Sequence, residues 1–160
     1  MAVRDLEKIM NSIISKSFLE LESVPIELKQ NGARAAFMNV IYEPNINAYV
    51  ISVNKRLTDP APLNAIKGGF AHELSYILVD KTIGKKPGST FYKRTKVDSY
   101  CDEVTADVYA ILRGYGSHLL EMINYLKTSE GSENTKYTWY SGLTTPQIEK
   151  LIGEKRIPKV

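Results

Sequence analysis

The sequence is poor in two residue types that carry much protein chemistry, cysteine and histidine. Its 160 residues include a single cysteine, Cys101, so no internal disulfide can form. No apolar run approaches the roughly 20 residues of a membrane-spanning helix, and the N-terminus mixes acids and bases, unlike a secretory signal. These absences argue against a disulfide-rich secreted fold and a membrane protein, and they predict a cytoplasmic location.

The remaining composition is that of an ordinary globular protein, with 43% hydrophobic and 24% charged residues. A chain of 160 residues suits one domain with its own core. The net charge of +3 is uneven, because residues 81–96 hold six basic residues and no acid, leaving 15 basic against 18 acidic residues elsewhere. We interpret residues 81–97 as a solvated basic loop in preference to a nucleic-acid surface.

Apolar periodicity and turn residues predict an α+β order of elements. Asp59 is the expected N-cap of the third element, with Pro60 at its first position. Gly68 and Gly69 within that helix predict that another backbone packs closely there. The predicted elements are an N-terminal helix in 1–24, a β-hairpin in 34–54, a helix over 59–80, the loop 81–97, a helix over 98–127 broken at Gly114–Gly116, and a C-terminal helix over 144–155.

The chain is organised around the helix that contains His72, Glu73 and Tyr76. Positions three and four apart are neighbours on a helix, so these three side chains share one side. This is the layout of the zinc-hydrolase motif H-E-x-x-H, in which two histidines hold the metal and the glutamate activates a bound water. In this sequence Tyr76 stands at the position of the second histidine.

A second cluster of acidic residues follows at Glu103 and Asp107, one helical turn apart. Like charges at this spacing disfavour a helix unless a cation or a hydrogen-bond donor lies between them. A metal bound by Glu103, with Asp107 accepting the ring N–H of His72, would provide such a partner. Taken alone, the pair is better explained as two solvated acids on a surface helix, because motif matches this short often occur by chance.

Taken together, Ala71-His72-Glu73-Leu74 and Glu103-Val104-Thr105-Ala106-Asp107 resemble the motifs of the gluzincin metallopeptidases. The sequence is most similar to the short soluble minigluzincins, over roughly residues 34–155. The resemblance implies a zincin-like domain with a small sheet, an active-site helix and a second ligand-bearing helix. It implies that His72 and Glu103 are metal ligands, that Glu73 is the catalytic base and that Asp107 orients His72.

Tyr76 is the departure from this pattern. A phenol must ionise before it binds zinc, which costs about 4 kcal/mol at pH 7 for a pKa near 10. Asp80 is a poor replacement ligand because it lies ~12 Å along the helix from His72. His118 lies ~22 Å along an unbroken helix from Glu103, although a break at Gly114–Gly116 would fold it back; we interpret it as a surface or core histidine.

These residues support several functions. We favour a minigluzincin-like protein with a degenerate zinc site of His72, Tyr76 and Glu103, in which peptide-bond hydrolysis is weak or lost. The alternatives are an active zinc peptidase that uses Tyr76 or water as the third ligand, and a metal-free module that binds a peptide or protein. A nucleic-acid surface on the basic loop with Phe91 and Tyr92 is the least favoured. The expected cofactor is zinc, bound weakly or not at all, and the expected partner is a peptide or protein.

Overall fold

The computed structural model describes residues 4–30, 36–91, 96–128, 142–154 and 160. These residues form an α+β structure, as the sequence predicts. The elements, in order, are α1 (Leu6–Ser17), β1 (Ile26–Gln30), β2 (Met38–Glu43), β3 (Ala48–Val53), α2 (Lys55–Thr58), α3 (Leu63–Ile83), α4 (Lys96–Leu112), α5 (Gly116–Lys127) and α6 (Thr145–Ile152), with 3-10 turns at Leu19–Leu21 and Ser89–Phe91.

The three described strands form one mixed sheet in the order β1-β3-β2. Strand β3 pairs with β1 in parallel and with β2 in antiparallel register, with Met38 opposite Val53 and Glu43 opposite Ala48. Strand β3 is therefore central, and β2 is an edge strand of the described sheet. The edge strand packs against α3, which brings it beside the helix that carries the motif.

Helix α3 is the centre of the fold, because 15 of its 21 residues are buried. It contacts α1, α4, α5 and β2, and a helix surrounded on so many sides is apolar around most of its circumference. Its close approach to α5 requires glycine at position 68, where an added Cβ atom would lie 2.3 Å from the backbone oxygen of His118. The predicted backbone contact at the glycine pair is thus confirmed for Gly68, whereas a Cβ at Gly69 would meet the side chains of Met38 and Phe37.

The hairpin prediction is confirmed by the antiparallel pairing of β2 and β3. Strand β1 was not predicted, because only two of its five residues, Ile26 and Leu28, are apolar. The N-terminal helix is shorter than predicted and ends at Ser17, after which a 3-10 turn replaces it.

The predicted start of the motif helix is wrong. Asp59 flanks the C-terminal end of the short helix α2, and α3 begins only after Pro62. A proline disfavours helical geometry in the residue before it, here Ala61, and Pro62 itself has an extended ψ of 146°, so the helix begins at Leu63.

Downstream elements follow the prediction more closely. The break between α4 and α5 is confirmed at Gly114, which adopts a φ of 93°. The basic loop was predicted to begin at residue 81, but α3 continues to Ile83 and α4 begins at Lys96. The last helix is capped by Thr144, which forms a reciprocal capping box with Gln147. Within the described ranges, no helix is long and apolar enough to cross a membrane.

Candidate functional site

Two packed helices carry the residues singled out by the sequence. Helix α3 provides His72, Glu73 and Tyr76, and helix α4 provides Glu103 and Asp107. All three residues of α3 are buried, and so is Asp107. The helix packing thus brings the two motifs, which are about 30 residues apart in sequence, to one place.

His72 lies between two carboxylates. Its Nδ1 atom is 2.8 Å from Oδ1 of Asp107, and its Nε2 atom is 3.0 Å from Oε2 of Glu103. The other oxygen of Asp107 accepts a hydrogen bond of 2.9 Å from the backbone N–H of Leu143. These contacts fix the orientation of the imidazole ring.

The two carboxylates also control the protonation of His72. Burial disfavours the charged imidazole, but the hydrogen bonds and charges of Asp107 and Glu103 outweigh it and raise the pKa of His72 well above its usual value. Both ring nitrogens then donate, one to each carboxylate. Any metal that binds Nε2 must first displace its proton.

Tyr76 lies one turn along α3 from His72, with the two ring centroids 5.3 Å apart. Burial, the charge of Glu103 and a hydrogen bond to Glu103 together raise the pKa of Tyr76 far above its usual value. The phenol is therefore neutral throughout the physiological range. A neutral phenol donates a hydrogen bond well and binds zinc poorly.

A cavity of about 320 Å³ opens beside this cluster. Glu73, Tyr76 and Glu103 line it on the helical side, and the edge strand β2 lines it on the other. Ile41 of β2, which is 47% exposed, provides apolar surface next to the acidic residues. The cavity is thus bounded by a carboxylate-rich wall and by a strand edge.

Phe91 also lines the cavity, and Asp80 holds the segment that carries Phe91. The carboxylate of Asp80 accepts hydrogen bonds from Tyr49 Oη at 2.5 Å, the Gly88 amide at 2.6 Å and the Thr90 amide at 2.9 Å. The hydroxyl of Thr90 adds a fourth bond at 2.6 Å. Although burial opposes it, these hydrogen bonds lower the pKa of Asp80. Asp80 is therefore a structural anchor for the cavity wall, at a position too far along α3 to join His72.

The donor set around His72 fits a tightly held zinc ion poorly. Catalytic zinc sites use three protein ligands drawn from histidine, cysteine and carboxylate side chains. Across the described ranges, no group of three or more such side chains is arranged to hold a metal. His72 and Glu103 provide two suitable donors, and the remaining position is occupied by the neutral phenol of Tyr76.

The structure thus brings together all five residues named from the sequence. Sequence reasoning missed Phe91 as a wall of the cavity and Asp80 as its anchor. The role of Asp80 could have been inferred from its position. An acidic residue near the C-terminal end of a helix interacts unfavourably with the helix dipole, so hydrogen-bond donors are expected around it. No spacing pattern marks Phe91, which lies in the short 3-10 turn Ser89–Phe91.

Of the other sequence candidates, Phe91 lines the cavity beside Glu73 and His118 does not. His118 is on α5 and lines a different cavity. In the predicted basic loop, residues 81–97, the side chains of Lys81, Lys85 and Lys86 are exposed. Residues 92–95 of this loop lie outside the described part of the chain. Phe91 packs edge-on against Tyr49, with ring centroids 5.9 Å apart.

Comparisons with protein-family models, with curated proteins and with solved structures found no match for this chain.

Proposed function

We propose that the protein is a minigluzincin-like member of the metallopeptidase class that binds an extended peptide and hydrolyses it weakly or not at all. The observation that carries this proposal is the position of Tyr76. It stands one turn from His72, where a second strong zinc ligand is needed, and its phenol is held neutral. The acid Glu73 remains at the cavity, but no group of three metal-binding side chains adjoins it in the part of the chain that the structure describes.

Peptide binding is favoured by the position of β2. This strand pairs with β3 on one side, and no described strand pairs with its other side. An extended peptide adds to such an edge through backbone hydrogen bonds, and neighbouring pockets select its side chains. The cavity formed by β2, Glu73 and Glu103 would hold one side chain or the N-terminal amine of the peptide. Its acidic lining favours a basic group there.

Hydrolysis is tested with an unfolded, fluorescently labelled protein as substrate, with and without added zinc. The matched control is Glu73→Gln, which removes the base and keeps the size of the side chain. We expect the wild-type rate to exceed the rate of this variant by less than the roughly hundredfold that a working general base contributes. A zinc-dependent rate that falls by more than this in Glu73→Gln would show an active peptidase instead.

Binding is tested by measuring the hydrogen exchange of the protein's backbone amides in the presence of short peptides. The peptides in the panel differ from one another in one basic residue. We expect a basic peptide to slow exchange in β2, because the added strand would cover its outward amides. Slower exchange confined to other elements, or none with any peptide, would contradict binding at this edge.

A further inference from the structure

The hydrogen-bond register of β2 shows which of its backbone groups face away from the sheet. Strands β2 and β3 pair in antiparallel register, and continuing this register places Phe37 opposite Asn54. The Asn54 amide donates to the Phe37 carbonyl at 3.0 Å, so the two form a hydrogen-bonded pair. Such pairs recur at every second residue of an antiparallel ladder. The N–H and C=O groups of the even-numbered residues of β2 therefore point away from β3, and these residues are Met38, Val40 and Tyr42.

The hydrogen bonds on the other side of β3 agree with this assignment. Tyr49 lies opposite Tyr42, and its amide donates to the Pro25 carbonyl at 3.0 Å, on the side of β1. The amide of Tyr49 is thus turned away from β2, as the alternation requires. Of the three outward-facing residues, Met38 and Val40 line the cavity of the candidate site. The stretch of edge that opens on the cavity is therefore centred near Val40.

The side chains of β2 alternate between the two faces of the sheet, which decides where the side chains of an added strand would lie. Met38 is buried against α3, and Val40 shares its face. Ile41, which also borders the cavity, projects towards the opposite face and is 47% exposed. Residues directly opposite each other on neighbouring strands share a face. A peptide residue opposite Val40 would therefore direct its side chain into the cavity, and the next residue would lie beside Ile41.

Building on the peptide binding proposed above, we infer that this edge selects a lysine or arginine next to an apolar β-branched residue, with the basic residue opposite Val40. Glu73 and Glu103 line the cavity that the basic side chain would enter, and none of its described lining residues is basic. Its charge therefore complements a cation. The neighbouring residue would form a cross-strand pair with Ile41, and pairs of β-branched side chains stabilise such contacts.

The selectivity is tested by titrating the intact protein with peptides of five residues, acetylated and amidated so that no terminal charge competes. The reference peptide has lysine at its centre and valine on each side. One comparison peptide has glutamine in place of lysine, and the other has serine in place of both valines. We expect the glutamine peptide to bind at least about tenfold more weakly, because it loses a charge-assisted hydrogen bond. The serine peptide should bind up to about fivefold more weakly.

Amide hydrogen exchange resolved by residue reports where the peptides bind. Exchange of the Met38 and Val40 amides should slow on binding, whereas that of the Asn39 and Ile41 amides, which face β3, should not change. Protection of Val40 by all three peptides with equal affinity would overturn the selectivity and leave peptide binding at the edge intact. Protection of no β2 amide by any peptide would overturn both the selectivity and the proposed function.

A charge-removing variant of the protein tests the role of the cavity wall. Glu73→Gln should lower the preference for the lysine peptide over the glutamine peptide by about fivefold at low ionic strength, the effect of one charge at ~4 Å in water. Glu27→Gln is the matched control, because Glu27 is an exposed acid on β1, the opposite edge strand of the described sheet. An unchanged preference in Glu73→Gln, or an equal fall in Glu27→Gln, would overturn the assignment of the basic residue to this cavity.

Discussion

Replacing Tyr76 by histidine tests the central reasoning about the site. The change removes a phenol that must ionise to bind zinc and adds an imidazole that binds it in the neutral form. Ionising a phenol of pKa 10 at pH 7 costs about 4 kcal/mol. Because burial and Glu103 raise the pKa of Tyr76 above 10, this figure is a lower bound on the cost in the wild type.

Repacking of the side chains reduces the gain in zinc-binding free energy that Tyr76→His provides. Tyr76 packs against Phe91, with ring centroids 6.3 Å apart, and it donates a hydrogen bond to Glu103. A smaller ring leaves a gap at this contact, which costs on the order of 1 kcal/mol. A net gain of about 3 kcal/mol remains, so Tyr76→His should bind zinc at least about a hundredfold more tightly than the wild type.

The measurement is competition for zinc with a chromophoric chelator at pH 7, with circular dichroism to verify the fold. Tyr109→His is the control, because it adds the same side chain on α4 at a half-buried position ~9 Å along the helix from Glu103. A gain below tenfold in Tyr76→His, or an equal gain in Tyr109→His, would refute the assignment of Tyr76 as the missing ligand position.

Three further predictions concern the base, the anchor and the glycine pair. Adding Glu73→Gln to the histidine variant should abolish any peptidase activity it acquires while leaving its zinc affinity within a few fold, as a rate assay and the chelator competition would show. Asp80→Asn should lower the free energy of unfolding by about 2–4 kcal/mol at neutral pH, since an amide has one acceptor oxygen for four donors. Because folding lowers the pKa of Asp80, its carboxylate stabilises the fold fully above the unfolded pKa of 3.8, and this stabilisation is lost as pH falls through the lower folded pKa. In urea unfolding, the difference in the free energy of unfolding between wild type and Asp80→Asn should therefore be smaller at pH 3 than at pH 7. Gly68→Ala should destabilise the protein by about 1–3 kcal/mol, because the added Cβ meets the backbone of α5. Gly69→Ala should cost less, because its Cβ meets the flexible side chain of Met38. An equal loss of stability for the two variants in thermal denaturation would contradict this.

The parts of the fold that the sequence predicts are those specified by local chemistry. The hairpin follows from β-branched and aromatic residues around a turn, and the capping of α6 follows from residues within four positions of one another. Strand β1 depends on pairing with Tyr49–Val53, more than 20 residues away, and its own residues carry little strand signal. Long-range pairing of this kind is invisible to a reading of local periodicity.

The same distinction holds for the candidate site. Helical spacing alone places His72, Glu73 and Tyr76 on one side of α3, and the resemblance adds Glu103 and Asp107 from α4. The loop contacts could not be predicted, because the amides that bind Asp80 belong to Gly88 and to a single 3-10 turn, which is too short to give a periodic signal. Backbone amides carry no residue identity, so sequence patterns do not reveal the donors that a buried carboxylate will find.

The hydrogen bonds of the cluster explain how the buried Asp107 and the partly exposed Glu103 share a single histidine. An ionised carboxylate is expensive to bury unless donors surround it. Asp107 has the Nδ1 atom of His72 and the amide of Leu143, and Glu103 has the Nε2 atom of His72 and the phenol of Tyr76. The phenol thus serves Glu103 as a donor in the neutral state that prevents it from serving a metal as a ligand. The neutral phenol at position 76 therefore accounts both for the second hydrogen bond of Glu103 and for a donor set that suits zinc poorly.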